Sequence, residues 1–267
     1  MSCQAEQRWS HRASSFAGRT LFNPKRYGVA PITEAQAKAF VVRHHYSGSY
    51  PAALFRVGLF ETNPCRLVGV AVFSVPPSQK VLPKYLGTDG NTRGAELGRF
   101  VLLDEVPYNA ESWFLVRAFK ALRKARPAKS AILAFSDPVP RLAENDVVLP
   151  GHIGTIYQAT NASYVGRSLP KTQLLTRSGT EISARLCSKI RREERGFEYA
   201  VEKLELATAL KRHTGESGAS YLARARAGLR QRKHPGNHAY VWDLQSKRKP
   251  SSMPYPKLQP LLDGLFG

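Results

Sequence analysis

The sequence predicts a mixed α/β fold, a sheet part antiparallel and part parallel flanked by helices, followed by a basic helical C-terminal extension. Three observations carry this. Apolar residues switch between helical spacing and short Val-, Leu- and Phe-rich runs, in the order helix, strand pair, strand, helix, strand, helix, strand, strand. The 267 residues, 42% apolar and 22% charged, suffice for one large core or two smaller ones. The basic excess grows along the chain, +4 over residues 1–30, +7 over 31–181 and +9 over 182–267, to a net +20. These shifts divide the sequence into a basic N-terminal segment (1–30), an α/β core (31–181), a basic helical region (182–245) and a basic Pro-rich tail (246–267).

Thr33-Glu34-Ala35-Gln36 is a capping box, and Ala35, Ala39, Val42 and Tyr46 follow at helical spacing, so a helix is expected from Glu34 to Tyr46, ended by Gly48. Leu54 to Phe60 and Leu67 to Val75, separated by Thr62-Asn63-Pro64, read as antiparallel strands. A Pro- and Gly-rich excursion (Val75 to Gly94) leads to a buried strand, Arg99 to Glu105. Asn109 is placed to cap a helix carrying Trp113, Leu115, Ala118, Phe119 and Leu122. Ser130 to Phe135 is a further strand, stopped by Asp137-Pro138. A short helix near His152 or Gly154, strands at Tyr164-Val165-Gly166 and at Gln173 to Thr176, and one long helix from Ala184 to Lys211 complete the pattern.

A pI near 10.2 makes a polyanion, and nucleic acid first, the expected partner. No apolar run reaches the roughly 18 residues of a membrane span, and the start lacks a signal peptide's apolar stretch, so no membrane partner and a cytoplasmic location are expected. Cys3, Cys65 and Cys187, odd in number and widely spaced, read as free thiols. No two glycines stand two apart and no G-K-[ST] follows a glycine-rich loop, which argues against a Rossmann dehydrogenase and a P-loop NTPase. Asp104, Glu105, Asp137 and Glu96 are too scattered for a two-metal nuclease. Pro235-Gly236 between His234 and His238 prevents the helix that would align them as metal ligands.

Four places can carry chemistry. Arg43-His44-His45-Tyr46-Ser47-Gly48 gathers imidazoles, a phenol and a hydroxyl at a helix end, where the alternative is dipole-complementing histidines and a core tyrosine. Arg99 stands just before an apolar strand, able to hold a phosphate or carboxylate. Asp137 follows a strand's carboxyl end, where open α/β sheets collect ligands, and also suits a plain turn. Tyr157 is a phenol donor or a packed aromatic.

The strings RHHYSGSYPAALFRVGLF, LVGVAVFS, ELGRFVLLDEVP, AFSDPVPR and PGHIGTIYQATNASYVG, in this order over residues 31–210, resemble the Mom family of phage-type DNA modification proteins. The core is similar to the GNAT acyltransferase fold to which that family is related, which makes the expected architecture a GNAT-like mixed sheet. The resemblance implies transfer of a carbamoylmethyl-type group to the exocyclic amine of adenine in double-stranded DNA, shielding phage DNA from restriction in the host cytoplasm. It puts the active site on His45, Tyr46, Arg99, Asp137 and Tyr157. It also implies acetyl-CoA or a related acyl donor, with its arm along the strand at Val101, Leu102 and Leu103 and its pyrophosphate at the helix start, Asn109, Ala110, Glu111 and Ser112. There Tyr108-Asn109-Ala110-Glu111-Ser112 replaces the glycine-containing loop usual in GNAT enzymes and adds a carboxylate.

Residue types leave the metal requirement, iron included, and the choice of base between His45 and Asp137 open. For the duplex, Arg185, Lys189 and Arg192 form one stripe of the predicted long helix, joined by Lys247, Arg248 and Lys249 of the tail and by Arg43, Arg56 and Arg141 of the core. Two alternatives stand beside this: a GNAT acyltransferase acting on protein, RNA or a small amine, and a non-enzymatic basic DNA-binding protein.

Overall fold

A computed structural model describes residues 21–107, 109–143, 146–149, 151–245 and 252–257. In chain order the elements are β1 (Tyr27–Pro31), α1 (Glu34–His44), β2 (Ala53–Thr62), β3 (Cys65–Ser74), α2 (Val81–Leu86), α3 (Gly90–Arg93), β4 (Gly94–Leu102), α4 (Ala110–Ala125), β5 (Ala131–Ser136), β6 (Arg141–Ala143), β7 (Asp146–Leu149), α5 (Thr155–Ala159), β8 (Ser163–Arg167), β9 (Lys171–Leu175), β10 (Glu181–Ile182), α6 (Ala184–Arg191), α7 (Glu198–Thr208), α8 (Gly218–Ala227), β11 (Arg230–His234) and β12 (His238–Asp243). The described residues form two compact units, one within 21–138, 152–167 and 237–257, the other within 139–151 and 168–236.

The first unit is a mixed α/β sheet flanked by helices, in the order β1-β2-β3-β4-β5-β12-β8. Every neighbouring pair is antiparallel except β4 and β5, which run parallel because α4 crosses over between them. That parallel pairing covers only Gly94↔Ala131, Ala95↔Ile132 and Glu96↔Leu133, while β4 continues to Leu102 alongside β3. Past Glu96 the two strands part, leaving one edge of β4 without a strand partner.

Both sheet faces are covered. Ala110, Phe114, Leu115, Ala118, Phe119 and Leu122 of α4 lie on one stripe at helical spacing and pack with Val57, Leu59, Phe73, Leu97, Ile132 and Trp242. Ala37, Phe40 and Val41 of α1 pack with Val70, Val72 and Val101 on the opposite face, and Leu82 and Leu86 of α2 with Leu133, Ala239 and Val241. Each such buried aliphatic or aromatic side chain is worth about 1.5–3 kcal/mol.

The second unit has its own core. Leu174 and Ile182 from the sheet β10-β9-β11 pack with Cys187 and Ile190 of α6, Val201 and Leu204 of α7, and Tyr221 and Leu222 of α8. A separate pair, β6 and β7, belongs to the same unit.

Several expectations need correction. The long helix from Ala184 to Lys211 is two helices, because Glu193 (φ 47°) and Gly196 (φ 69°) take left-handed conformations that no α-helix continues through. The core does not end at 181, nor is 182–245 wholly helical: β12 returns to the main sheet between β5 and β8, while 168–181 belong to the second unit. The excursion before β4 contains α2 and α3, and β4 begins at Gly94, so Arg99 lies inside a strand rather than before one. Within the tail, residues 252–257 run along β8, where Met253 N–H donates to the Tyr164 carbonyl and the Ser252 hydroxyl accepts from Tyr164 N–H at 3.0 Å. Lys247, Arg248 and Lys249 lie outside the described residues, as does the N-terminal segment before residue 21. Cys65 and Cys187 are free thiols; Cys3 is outside the described residues. Among the described residues no helix is long and apolar enough to cross a membrane.

Candidate active site

The capping box forms as its sequence implies, with Gln36 N–H on the Thr33 hydroxyl and Thr33 N–H on the Gln36 side chain. At its other end α1 stops at His44, two residues short of the predicted Tyr46. His45 turns to an extended conformation (φ −97°, ψ 132°), and Gly48, at φ 53°, brings its N–H back onto the His45 carbonyl at 2.9 Å. His45 and Tyr46 thus sit on a turn, their rings 4.2 Å apart. Burial, and then the positive fields of Arg99 and His152, push the His45 imidazole down to about 3, so it is neutral around neutral pH.

Arg99 comes from β4, next to a register shift against β3 at Gly98, and such a bulge re-aims the side chain beside it. Gly98 lets β4 lie close to Ser74, whose hydroxyl a Cβ there would displace. The guanidinium donates to the Ser49 carbonyl (2.9 Å), the Ser49 hydroxyl (2.8 Å) and the Gly98 carbonyl (2.5 Å). It interacts electrostatically with Tyr46, Glu96 and Tyr157. Burial pushes Arg99 down and Glu96 up from their ordinary values, the latter against the opposing pull of Arg99.

Tyr157 hangs from α5, which starts at Gly154 in the left-handed region (φ 75°). A Cβ on Gly154 would meet Tyr157 and Tyr240 at 2.8 Å each, so glycine lets the loop lie against both rings. Tyr157 packs edge-on to Tyr240 and Trp242 at 5.4 Å and stands 6.4 Å from the His152 ring. Burial holds its phenol protonated far above the usual tyrosine range, an effect to which Tyr46 and Glu96 add.

Asp137 follows β5 directly and is buried, and its main-chain carbonyl accepts from His152 N–H at 2.7 Å. Beside it the Ser136 hydroxyl is fully buried without a hydrogen-bond partner. The structure therefore brings His45, Tyr46, Arg99 and Tyr157, together with Glu96, into one electrostatically connected group where β4 and β5 part, while Asp137 meets His152 through the main chain. Sequence reasoning passed over Ser136, His152 and Ser49, and weighed Glu96 only as a metal-binding carboxylate. The signals were there: Ser136 and Glu96 sit inside quoted strings, and His152 stands between Gly151 and Gly154.

Of the expected donor-binding residues, Val101 and Leu102 close β4, and Leu103 N–H still bonds the Val68 carbonyl. Asn109 stands before α4 but in a left-handed conformation (φ 68°) and makes no side-chain cap, which corrects its expected capping role; its carbonyl accepts from the Ser112 hydroxyl at 3.1 Å. The first turn carries Glu111.

Of the expected phosphate-binding residues in the first unit, Arg43 is exposed in the last turn of α1 and Arg56 pairs with Glu34 at 3.3 Å. In the second unit, Arg141 is in β6. Arg185 makes a two-pronged pair with Glu194 at 2.8 and 2.5 Å, Lys189 lies on α6 and Arg192 at its end. His234 Nδ1 accepts from Gly236 N–H, and His238 Nδ1 bonds the Tyr164 hydroxyl at 3.0 Å. Among the described residues no three His, Cys, Asp or Glu side chains converge as metal ligands.

A family model described as the Mom protein family matches residues 26–257. No curated protein matches the sequence. Solved structures similar to this chain include a tandem GNAT protein from the clavulanic acid biosynthesis pathway, at TM-score 0.42 and 8% identity over 83% of this chain and 100% of that one. A ribosomal-protein-S5-alanine acetyltransferase from Vibrio fischeri gives 0.35 and 14%, over 61% and 92%. A malonyl-CoA decarboxylase from Agrobacterium vitis gives 0.35 and 13%, over 84% and 62%.

Proposed function

The chain belongs to the Mom protein family, and from that premise we propose that it is a transferase that places a carbamoylmethyl-type group on the exocyclic amine of adenine in double-stranded DNA, a modification that would protect phage DNA from restriction. The observation that carries the reading is the convergence of His45, Tyr46, Arg99 and Tyr157 where β4 and β5 part.

An adenine inside a base pair must first be flipped out, at a cost of a few kcal/mol. Its amine is a weak nucleophile because its lone pair is delocalised into the ring. A base is needed as carbon attack proceeds; the family resemblance offers Asp137, and Glu96, pushed up by burial and acting on Arg99 and Tyr157, is a second carboxylate suited to the task. As the bond to the donor's methylene carbon forms and the bond to the leaving group breaks, Tyr157, held protonated by burial, suits hydrogen-bond or proton donation to that leaving group. Arg99, oriented by Ser49, suits a carboxylate or phosphate of the incoming donor, and Tyr46 can stack on the flipped base.

An acetyl-CoA-like acyl donor would lie along the stretch of β4 that β5 leaves unpaired and reach the uncapped start of α4, where Glu111 in the first turn sets a negative charge against a pyrophosphate. The residues present therefore do not fit the pyrophosphate of such a carrier. Mass spectrometry of nucleosides from DNA of expressing cells tests the reading: a deoxyadenosine heavier by one glycinamide-type substituent is expected, and only ordinary nucleosides beside abundant folded protein would remove its support.

A further inference from the structure

We propose that His45 serves this site as a neutral hydrogen-bond donor through Nε2, and that Ser47 is the positioning residue that fixes it in that role. The proposal deepens the reading above, on which the reaction's identity rests; the hydrogen-bond geometry stands by itself.

Two groups point at Nδ1. The main-chain N–H of Ser47 donates to it at 3.2 Å, and the Ser47 hydroxyl is 2.8 Å away. A main-chain N–H can only donate, so Nδ1 must present its lone pair. The side-chain chain gives the same answer from the other end. Arg99 can only donate, and Nη2 gives its hydrogen to the Ser49 hydroxyl at 2.8 Å. Ser49 donates onward to the Ser47 hydroxyl at 3.3 Å, which leaves Ser47 to donate to Nδ1. Every proton in the relay points the same way, from guanidinium to imidazole.

A neutral imidazole has one proton, and with Nδ1 accepting, that proton is on Nε2. The ring stays neutral chiefly through burial, and the titratable groups that act on it, Arg99 from β4 and His152 from the loop before α5, are both cationic when charged and work in the same sense. Nε2 has no partner among the described residues, so its hydrogen is available to an oxygen of a bound ligand. A ring in this state has no lone pair facing the ligand and does not take the amine's proton; that task passes to a carboxylate. Sequence alone left His45 and Asp137 equal candidates for it.

Long-range 1H–15N correlation spectra of the full-length protein, with His45 assigned by the signal lost in His45→Gln, test this directly. A neutral ring protonated on Nε2 is expected throughout about pH 5–8. An Nδ1-protonated ring, or an imidazolium inside that window, overturns the proposal. In the nucleoside assay, His45→Gln keeps an N–H donor and is expected to hold product formation within about tenfold of the native enzyme. His45→Glu, of similar reach but acceptor only, is expected to lose about 10²–10³-fold. Equal activity of the two variants overturns the donor role even with the tautomer as expected. Ser47→Ala is expected to lower kcat with KM unchanged, and Ser47→Thr, which restores the hydroxyl, to recover it; loss of thermal stability without a kcat effect would reduce Ser47 to a structural residue. If the native protein makes no modified nucleoside, the functional reading fails while the spectra still decide the state of His45.

Discussion

The candidate site of the first unit and the surface of the second treat their ionisable groups in opposite ways. In that site His45, Glu96, Arg99 and Tyr157 are shifted mainly by burial, each toward its neutral form, and His45 and Arg99 are held by main-chain and serine contacts. In the second unit the charges stay at the surface and answer one another, Arg185 with Glu194, Arg212 with Glu193, Arg224 with Glu216 and Lys171 with Glu181. Desolvation tunes protonation, whereas exposed pairing does little beyond local order. The difference makes the first unit the place to test the proposed chemistry and surface electrostatics the property to test in the second.

The largest expected effect breaks the comparison at its chemical end. Asp137→Asn and Tyr157→Phe keep side-chain shape and remove proton chemistry, so each is expected to cost at least about 10²-fold in modified nucleoside while the thermal midpoint stays close to native. Full activity in either variant would return that residue to packing or turn formation.

Acid separates the units next. His45 and His238 have folded-state values depressed to about 3 and about 4 from the usual 6.5, the latter by burial and by Arg167. The folded state therefore binds fewer protons than the unfolded chain, and the stability from their neutral burial is present above about pH 6.5 and lost on descending through the window toward pH 4. By pH 5 each group is expected to cost about 2 kcal/mol. Glu216 differs in sign and place: the hydrogen bond from Arg224, and then one from the His213 main chain, hold it at about 2, so its contribution is lost only between about 4.5 and 2. Urea unfolding at pH 7 and pH 5 checks this, with His238→Asn, which can keep the bond to Tyr164, expected to remove about half of the loss. An undiminished loss in His238→Asn would sink the assignment for His238.

What the sequence made legible follows the same divide between local and distant causes. The capping box at Thr33, the hairpin through Asn63-Pro64 and the stripe of α4 are set by residues a few positions apart, and each forms. The site residues were legible as a set only through their order along the chain. Their protonation was not, because it depends on burial and on partners such as Arg99 and His45, brought together across 54 residues of sequence. β12 was missed for a related reason: His238–Asp243 is short, follows a Pro-Gly turn and lies beyond three helices, and only the unfilled edge of β5 explains why it becomes a strand there. The break in the predicted long helix turns on Gly196 and on Glu193, whose left-handed backbone no propensity would reveal.

The smallest effect concerns the proposed duplex contact of the second unit, and there the structure changes which residues to test. Each cation that neutralises a phosphate makes log K fall with log salt by about 0.9. Read as one free stripe, Arg185, Lys189 and Arg192 would account for up to about three contacts. Arg185 is instead engaged by Glu194, whose carboxylate also feels Lys189 and Arg192 and is held below its usual range chiefly by the Arg185 hydrogen bond. Arg191 and Arg226, both exposed, have no ion-pair partner among the described residues. Replacing Arg191 and Arg226 by alanine is therefore expected to flatten the slope by up to about two units, and the triple change at 185, 189 and 192 by less than its three charges suggest, about one unit. Preference among sequences should hold in both variants, because phosphate contacts position a protein without reading bases. A triple variant that flattens the slope more than the double one would mean that Glu194 releases its partners to the phosphates. Unchanged slopes in both would move the contact to the first unit, where Arg43 is the exposed cation to replace next.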